Sequence, residues 1–156
     1  MFKLTKEQEM LVKMVREYAA NELEPIAEEV DKESRIPEKT YKDMGKIGLL
    51  GLNAPKEYGG AGMDDVCKVL AVMEVAKKCA STAEFFAVQL LVNFIVKTHG
   101  NEEQKKKYLG MAADGKIGEF ALTEPEAGSD AGGVQMTAEE DRDSFILKTT
   151  DRKSVV

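Results

Sequence analysis

Two patterns follow one another along the chain. From Thr5 to about Gly115 apolar residues recur at helical spacing, and from Ile117 onward they come in short runs broken by turn residues. Thr5-Lys6-Glu7-Gln8 is a capping box, in which the threonine and glutamine side chains satisfy the first free N–H groups of a helix. Leu11, Met14, Val15, Tyr18 and Ala19 form the apolar stripe behind it, and Pro25 ends or kinks the helix. Ile26 and Val30 mark a second, short helix among acids. Pro37 suits the first position of a third, with Tyr41, Met44 and Ile47 as its stripe and Gly48 as its C-terminal cap. A glycine- and proline-bearing loop, Leu49 to Gly62, leads to a fourth helix over Met63 to Cys79. There Val66, Val69, Leu70, Val72, Met73 and Val75 cover nearly the whole circumference, which predicts a central position. Ser81-Thr82-Ala83-Glu84 reads as a second capping box, opening a helix that is apolar nearly all round from Phe85 to Val96. Asn101-Glu102-Glu103-Gln104 caps a last helix that ends near Gly115.

The expectation is a mainly α chain: a domain of about six helices over residues 1–116, then an incomplete β-domain fragment over 117–156. In that second part, Ile117 to Leu122 reads as a short apolar strand. It breaks at Thr123-Glu124-Pro125, because proline donates to no ladder and pushes the residue before it into an extended conformation. A small-residue loop follows, with Gly128, Ser129, Asp130, Gly132 and Gly133, where backbone N–H groups can approach a ligand without interference from Cβ atoms. Val134 to Ala138 and Ser144 to Lys148 then flank a polar turn, Glu139 to Asp143, as a hairpin. A lone two-stranded ribbon of this kind is marginal in water. Thr149 to Val156 is polar and unpatterned.

Composition narrows the function classes. The 156 residues suit one domain, or one domain and a part of another. With 43% hydrophobic and 32% charged residues, the chain has ordinary soluble globular composition. A net charge of −6 leaves no basic face for nucleic acid. The longest apolar stretch, Phe85 to Val96, is interrupted by Gln89 and Asn93 and falls short of the roughly 18 residues of a membrane span. No signal-peptide pattern stands at the start, and Cys67 and Cys79 form no CxxC, so a reduced, cytoplasmic setting is the simple expectation.

Candidate chemistry is sparse. Neither GxGxxG nor GxxxxGK[ST] occurs. His99, the only histidine, sits before Gly100 at a helix end, where an imidazole serves terminal carbonyls better than catalysis. Cys67 and Cys79 read as core residues, and Lys105-Lys106-Lys107 as a solvated helix face. Glu124, Glu126 and Asp130 could be cast as acid/base carboxylates, but local bonds to backbone suit them better. No metal-ligating set stands out.

Three stretches together carry a resemblance. Phe120-Ala121-Leu122-Thr123-Glu124-Pro125-Glu126-Ala127-Gly128-Ser129-Asp130 resembles the first signature of the acyl-CoA dehydrogenases. Ala54-Pro55-Lys56-Glu57-Tyr58-Gly59-Gly60-Ala61-Gly62 is similar to that family's loop between early helices. His99-Gly100-Asn101-Glu102-Glu103-Gln104-Lys105 is similar to its helix junction before the β-domain. The resemblance runs from Leu4 to about Leu147 and implies FAD as cofactor and an acyl-CoA thioester as substrate. It implies α,β-dehydrogenation by a glutamate base with hydride passing to the flavin, electron-transfer flavoprotein as acceptor, and a homotetramer for the full-length family. By position, Phe120, Leu122 and Thr123 would lie along the flavin ring, with the Thr123 hydroxyl near its reactive edge. Ser129 would contact the pyrophosphate side and the thioester substrate, and Phe85 to Val96 would help line the acyl-chain pocket.

The pattern departs from the family after Ile146-Leu147. There the family usually continues with Asn-Gly and a strand ending in a Trp-Ile-Thr-like flavin contact, whereas Lys148 to Val156 follow here and no tryptophan occurs. The resemblance therefore implies an N-terminal portion without the rest of the β-domain, the C-terminal bundle or the catalytic glutamate. The rival expectation is a non-enzymatic helical remnant or interaction module. A relative of the same fold that uses oxygen as acceptor, or a nitroalkane as substrate, is a third.

Overall fold

The computed structural model describes residues 3–148, so the unpatterned stretch from residue 149 lies outside the described residues. The chain divides into two compact units, Met1–Glu119 and Phe120–Val156.

The first unit is helical, as the periodicity predicts. Helix α1, Lys6–Tyr18, opens on the predicted capping box: Thr5 Oγ1 accepts from the Gln8 N–H at 3.2 Å, and Gln8 Oε1 accepts from the Thr5 N–H at 3.1 Å. It runs on through a wider turn of π geometry, Ala19–Leu23, and a 3-10 turn, Glu24–Ile26, into α2, Ala27–Glu33. Pro25 sits in that 3-10 turn, so it tightens and redirects the path instead of ending it. Helix α3, Glu38–Lys46, follows Pro37, which is the capping residue itself and not the first helical position. At its end Gly48 takes φ 78°, and the Leu49 N–H reaches back to the Met44 carbonyl at 2.9 Å.

Helix α4, Asp65–Ala76, is capped by the Asp64 carboxylate and packs between α1 and α5, Ala80–His99. The predicted box at Ser81–Glu84 does not form. Helix α5 starts earlier, with Cys79 in extended conformation as its cap residue, and Thr82 is buried with its hydroxyl 3.1 Å from the Cys79 sulfur. Asn101 and Gln104 do form the predicted box ahead of α6, Glu102–Gln104, a π turn over Lys105–Leu109, and α7, Gly110–Ala113.

The core is one cluster to which every long helix contributes: Leu11, Val15 and Leu23, then Met44, Leu49 and Leu50, then Val75, Phe86 and Leu90. The bidentate pair of Arg16 with buried Glu74, at 3.0 and 3.2 Å, ties α1 to α4. Hydrogen bonds from Arg16, and then from Lys77, hold the Glu74 carboxyl below the usual carboxylate range against the opposing effect of burial. Helix α5 is long and apolar enough by length and composition to cross a membrane, longer than the run from Phe85 to Val96 suggests. Its Phe86 and Leu90 lie in the cluster, and it carries three buried polar side chains, Thr82, Gln89 and Asn93.

The second unit departs from the sequence reading in two places. Residues 117–123, which bridge into it, form no strand, because a strand needs a ladder partner and none is present among the described residues. The first hairpin strand, β1, is Thr137–Asp141 and not Val134–Ala138; it pairs antiparallel with β2, Ser144–Lys148. The turn is only Arg142-Asp143, with Arg142 at φ 56°. This tight turn sets the register, so polar Glu139, Glu140 and Asp141 enter the ladder.

Candidate functional site

Ahead of the hairpin, the chain is shaped by carboxylates bonding to backbone. The Glu124 and Ala127 main chains exchange hydrogen bonds of 3.1 and 3.2 Å, closing a turn around Pro125-Glu126. The Glu124 carboxylate then accepts from the N–H groups of Gln135, at 2.8 Å, and Met136, at 2.9 Å. One side chain thus closes the loop from residue 124 to residue 136. The Asp130 carboxylate accepts from the Gly132 N–H at 3.1 Å, the side-chain turn expected of it. Neither group is arranged for acid/base work. Replacing Glu124 by alanine should open the loop: the Gln135 and Met136 amides are expected to exchange about tenfold faster with solvent, with α1 unchanged. Unchanged rates at those two amides would show that the clamp is not formed in solution.

The run just before this loop, and the loop itself, present the remaining candidates. Phe120, Leu122, Thr123 and Ser129 are all exposed, the first three in one short run and Ser129 beyond the turn. Among the described residues the main-chain N–H groups of Phe120 to Thr123 donate to no other group. Apolar side chains, a hydroxyl and free backbone donors in one run fit the face and polar edge of a flavin, which offers a flat apolar ring system with carbonyl and nitrogen acceptors.

A second feature lies within the helical unit. Helices α4 and α5 leave an apolar groove of about 560 Å3 between them, lined chiefly by Val69, Val72, Met73, Ala87, Leu91 and Phe94. Helix α4 is central, between α1 and α5, but the apolar circumference of the two helices is not wholly covered here, since Val69 is 58% exposed and Phe94 48%. Lys68 stands at the rim, 5.8 Å from the Phe94 ring centre and paired with Asp65 at 2.6 Å.

The other residues singled out in the sequence take structural roles. Cys67 and Cys79 are buried and free. Burial, and then the Asp64 carboxylate, push the Cys67 thiol up to about 11, which leaves no thiolate near neutrality. His99 is in the last turn of α5, and Lys105 pairs with Glu102 at 3.0 Å on an exposed face. Tyr58 donates to Glu102 at 2.7 Å, which joins the 54–62 loop to α6 and raises the Tyr58 hydroxyl to about 12. No cluster of metal-ligating side chains occurs among the described residues.

The family model described as acyl-CoA dehydrogenase, N-terminal domain, matches residues 5–116. The chain belongs to the acyl-CoA dehydrogenase family. It is 45% identical over 152 residues to an acryloyl-CoA reductase (NADH) of Anaerotignum propionicum, covering 96% of this chain and 39% of that protein. It is 44% identical over 148 residues to the short-chain specific acyl-CoA dehydrogenase of Clostridium acetobutylicum, covering 94% of this chain and 39% of that one. A solved glutaryl-CoA dehydrogenase of Mycobacterium smegmatis in complex with FADH2 matches with a TM-score of 0.85 and 32% identity, over 94% of this chain and 38% of that one. The chain thus spans 39% of the length of these curated relatives. In this acyl-CoA dehydrogenase domain, sequence reasoning passed over one group of polar residues: Asn53, Gln89 and Asn93, all buried. The signal was present. Two amides four residues apart fall on one face of a helix, and an otherwise apolar helix buries such a pair only when it is hydrogen-bonded.

Proposed function

We propose that this chain supplies the flavin-facing loop and one wall of the acyl-chain site of an FAD-dependent acyl-CoA dehydrogenase. The observation that carries the reading is the run Phe120 to Thr123, whose exposed apolar side chains, hydroxyl and free backbone donors precede a closed loop bearing Ser129. Bound FAD would supply the hydride acceptor for α,β-dehydrogenation of a thioester. Phe120 and Leu122 would cover part of the ring, and the Thr123 hydroxyl would donate to its polar edge, where negative charge grows on reduction. Ser129 would meet the pyrophosphate side and the thioester. The groove between α4 and α5 would take the acyl chain, since its walls are mostly apolar and Lys68 is held at the rim by Asp65.

The base is assigned to a glutamate outside these residues. Electron-transfer flavoprotein as acceptor and a homotetrameric assembly belong to the same reading. Two free buried thiols suit a cytoplasmic, reducing setting.

These residues alone should hold FAD weakly or not at all. Two or three hydrogen bonds contribute about 1 kcal/mol each. Association must first offset about 4–15 kcal/mol of lost translational and rotational freedom. The test is the native product of the gene: its intact mass, its flavin absorbance and the bleaching of that absorbance by acyl-CoA without oxygen. Stoichiometric flavin that bleaches supports the dehydrogenase. A native product of 17.2 kDa with no flavin replaces it with the non-enzymatic helical module. Stoichiometric flavin bound by these 156 residues alone would overturn the expectation of weak binding.

A further inference from the structure

The three buried amides form a chain with one direction. The Gly118 N–H donates to Gln89 Oε1 at 2.7 Å. Gln89 Nε2 donates to Asn93 Oδ1 at 2.9 Å, and Asn93 Nδ2 donates to Asn53 Oδ1 at 3.0 Å and to the Leu50 carbonyl at 2.8 Å. Asn53 Nδ2 donates to the Leu90 carbonyl at 2.8 Å. Both ends dictate the orientation of every amide. A backbone N–H only donates, so Gln89 must present oxygen to Gly118. A backbone carbonyl only accepts, so Asn93 and Asn53 must present nitrogen to Leu50 and Leu90. The two requirements meet without conflict in the middle. Flipping any one amide would set donor against donor or acceptor against acceptor in a buried site.

This relay joins three parts of the helical unit: the loop after α3, the middle of α5 and the segment that leaves the unit. At its outer end it holds little else. Among the described residues no other hydrogen bond ties the backbone of residues 117–123 to anything. The approach is close as well. A Cβ on Gly118 would stand 2.8 Å from Val92 Cγ1, so a side chain there must displace Val92 or move the main chain away from the Gln89 oxygen.

We infer that Gln89 is a positioning residue: aligned by Asn93 and Asn53, it fixes the Gly118 backbone and so the point from which the candidate flavin run Phe120–Thr123 departs. The inference rests on the proposed function for its meaning but not for its test. The relay reads out at one amide. In the wild-type chain the Gly118 N–H should exchange slowly, protected like the core helices.

Two substitutions separate positioning from bulk packing. Gln89→Leu keeps a side chain of similar size and removes both the acceptor for Gly118 and the donor to Asn93. Gly118→Ala leaves all three amides in place and pushes the segment off α5. Both should speed Gly118 exchange by about tenfold or more beyond any change shared with α1. A cleft of about 260 Å3, lined by Val92, Val96, Tyr108 and Met111 among others, gives water a path to the released N–H. Amide chemical shifts of Phe120 to Thr123 should move in both variants and in the same direction.

If Gly118 exchange in Gln89→Leu changes only in step with α1, Gln89 is a packing residue and the inference falls. An unprotected Gly118 in the wild type would overturn it equally. A native product without flavin would overturn the proposed function, while Gly118 exchange still decides this inference.

Discussion

Replacing Asn93 by leucine is expected to lower folding stability by about 3–5 kcal/mol, a large share of the roughly 5–15 kcal/mol that holds an ordinary domain together. Asn93 is 2% exposed and both atoms of its amide bond to protein partners, with two N–H donations and one acceptance. Leucine leaves the Leu50 carbonyl, Asn53 Oδ1 and one Gln89 N–H without partners. Each stranded group costs about 1–3 kcal/mol, offset in part by the added apolar contact. Asn93→Asp should be worse, because a carboxylate would face two acceptors, the Leu50 carbonyl and Asn53 Oδ1. Urea titration followed by circular dichroism measures the loss. A change below about 1 kcal/mol at constant m-value would mean that the stranded groups find other partners. Asn93→Leu and Asn53→Ala should also fall short of additivity when combined, since both remove the same hydrogen bond.

Phe86→Ala should cost a similar amount, about 3–5 kcal/mol, for a different reason. Phe86 is fully buried in the cluster that α5 shares with α1, α3 and α4. Removing its ring forfeits transfer free energy and leaves a cavity that close-packed neighbours only partly refill. Phe94, two turns further along the same helix, is 48% exposed in the groove, and Phe94→Ala should cost less than about 1 kcal/mol. The thermal midpoints of the two variants, measured side by side, check the contrast. Equal losses would mean that the groove face is covered in solution.

The contrast between Phe86 and Phe94 marks where sequence reading stops. Both stand in a helix that is apolar nearly all round, and the periodicity does not tell them apart. Which of them faces the cluster depends on where α4 and α2 lie against α5, which no local pattern encodes. The capping boxes show the same division. Thr5–Gln8 and Asn101–Gln104 close within four residues and form as predicted. Ser81–Glu84 has the same pattern but already lies within the first turn of its helix, because Cys79 takes the extended cap conformation and buried Thr82 bonds to its sulfur.

The candidate site divides likewise. Phe120, Leu122, Thr123 and Ser129 remain candidates on the ground of residue type, and the backbone-bonding role of Glu124 and Asp130 was legible because it depends on residue type and near neighbours. The strand expected at 117–122 was not, since a strand is defined by its partner. Gln89 and Asn93 looked like interruptions of an apolar run until the fold brought Leu50, Asn53 and Gly118 beside them.

Helical periodicity, short-range capping and the ordered motifs determined the helical class, the family and the carboxylate-closed loop from residue 124 to 136, because each of these is written within a few residues. Only the tertiary structure decided which apolar faces stay open, which amides are buried and paired, and how the chain is held at Gly118 before the loop begins. Those outcomes rest on contacts between residues about 30–40 positions apart, whose energies are set by burial and mutual satisfaction of donors and acceptors.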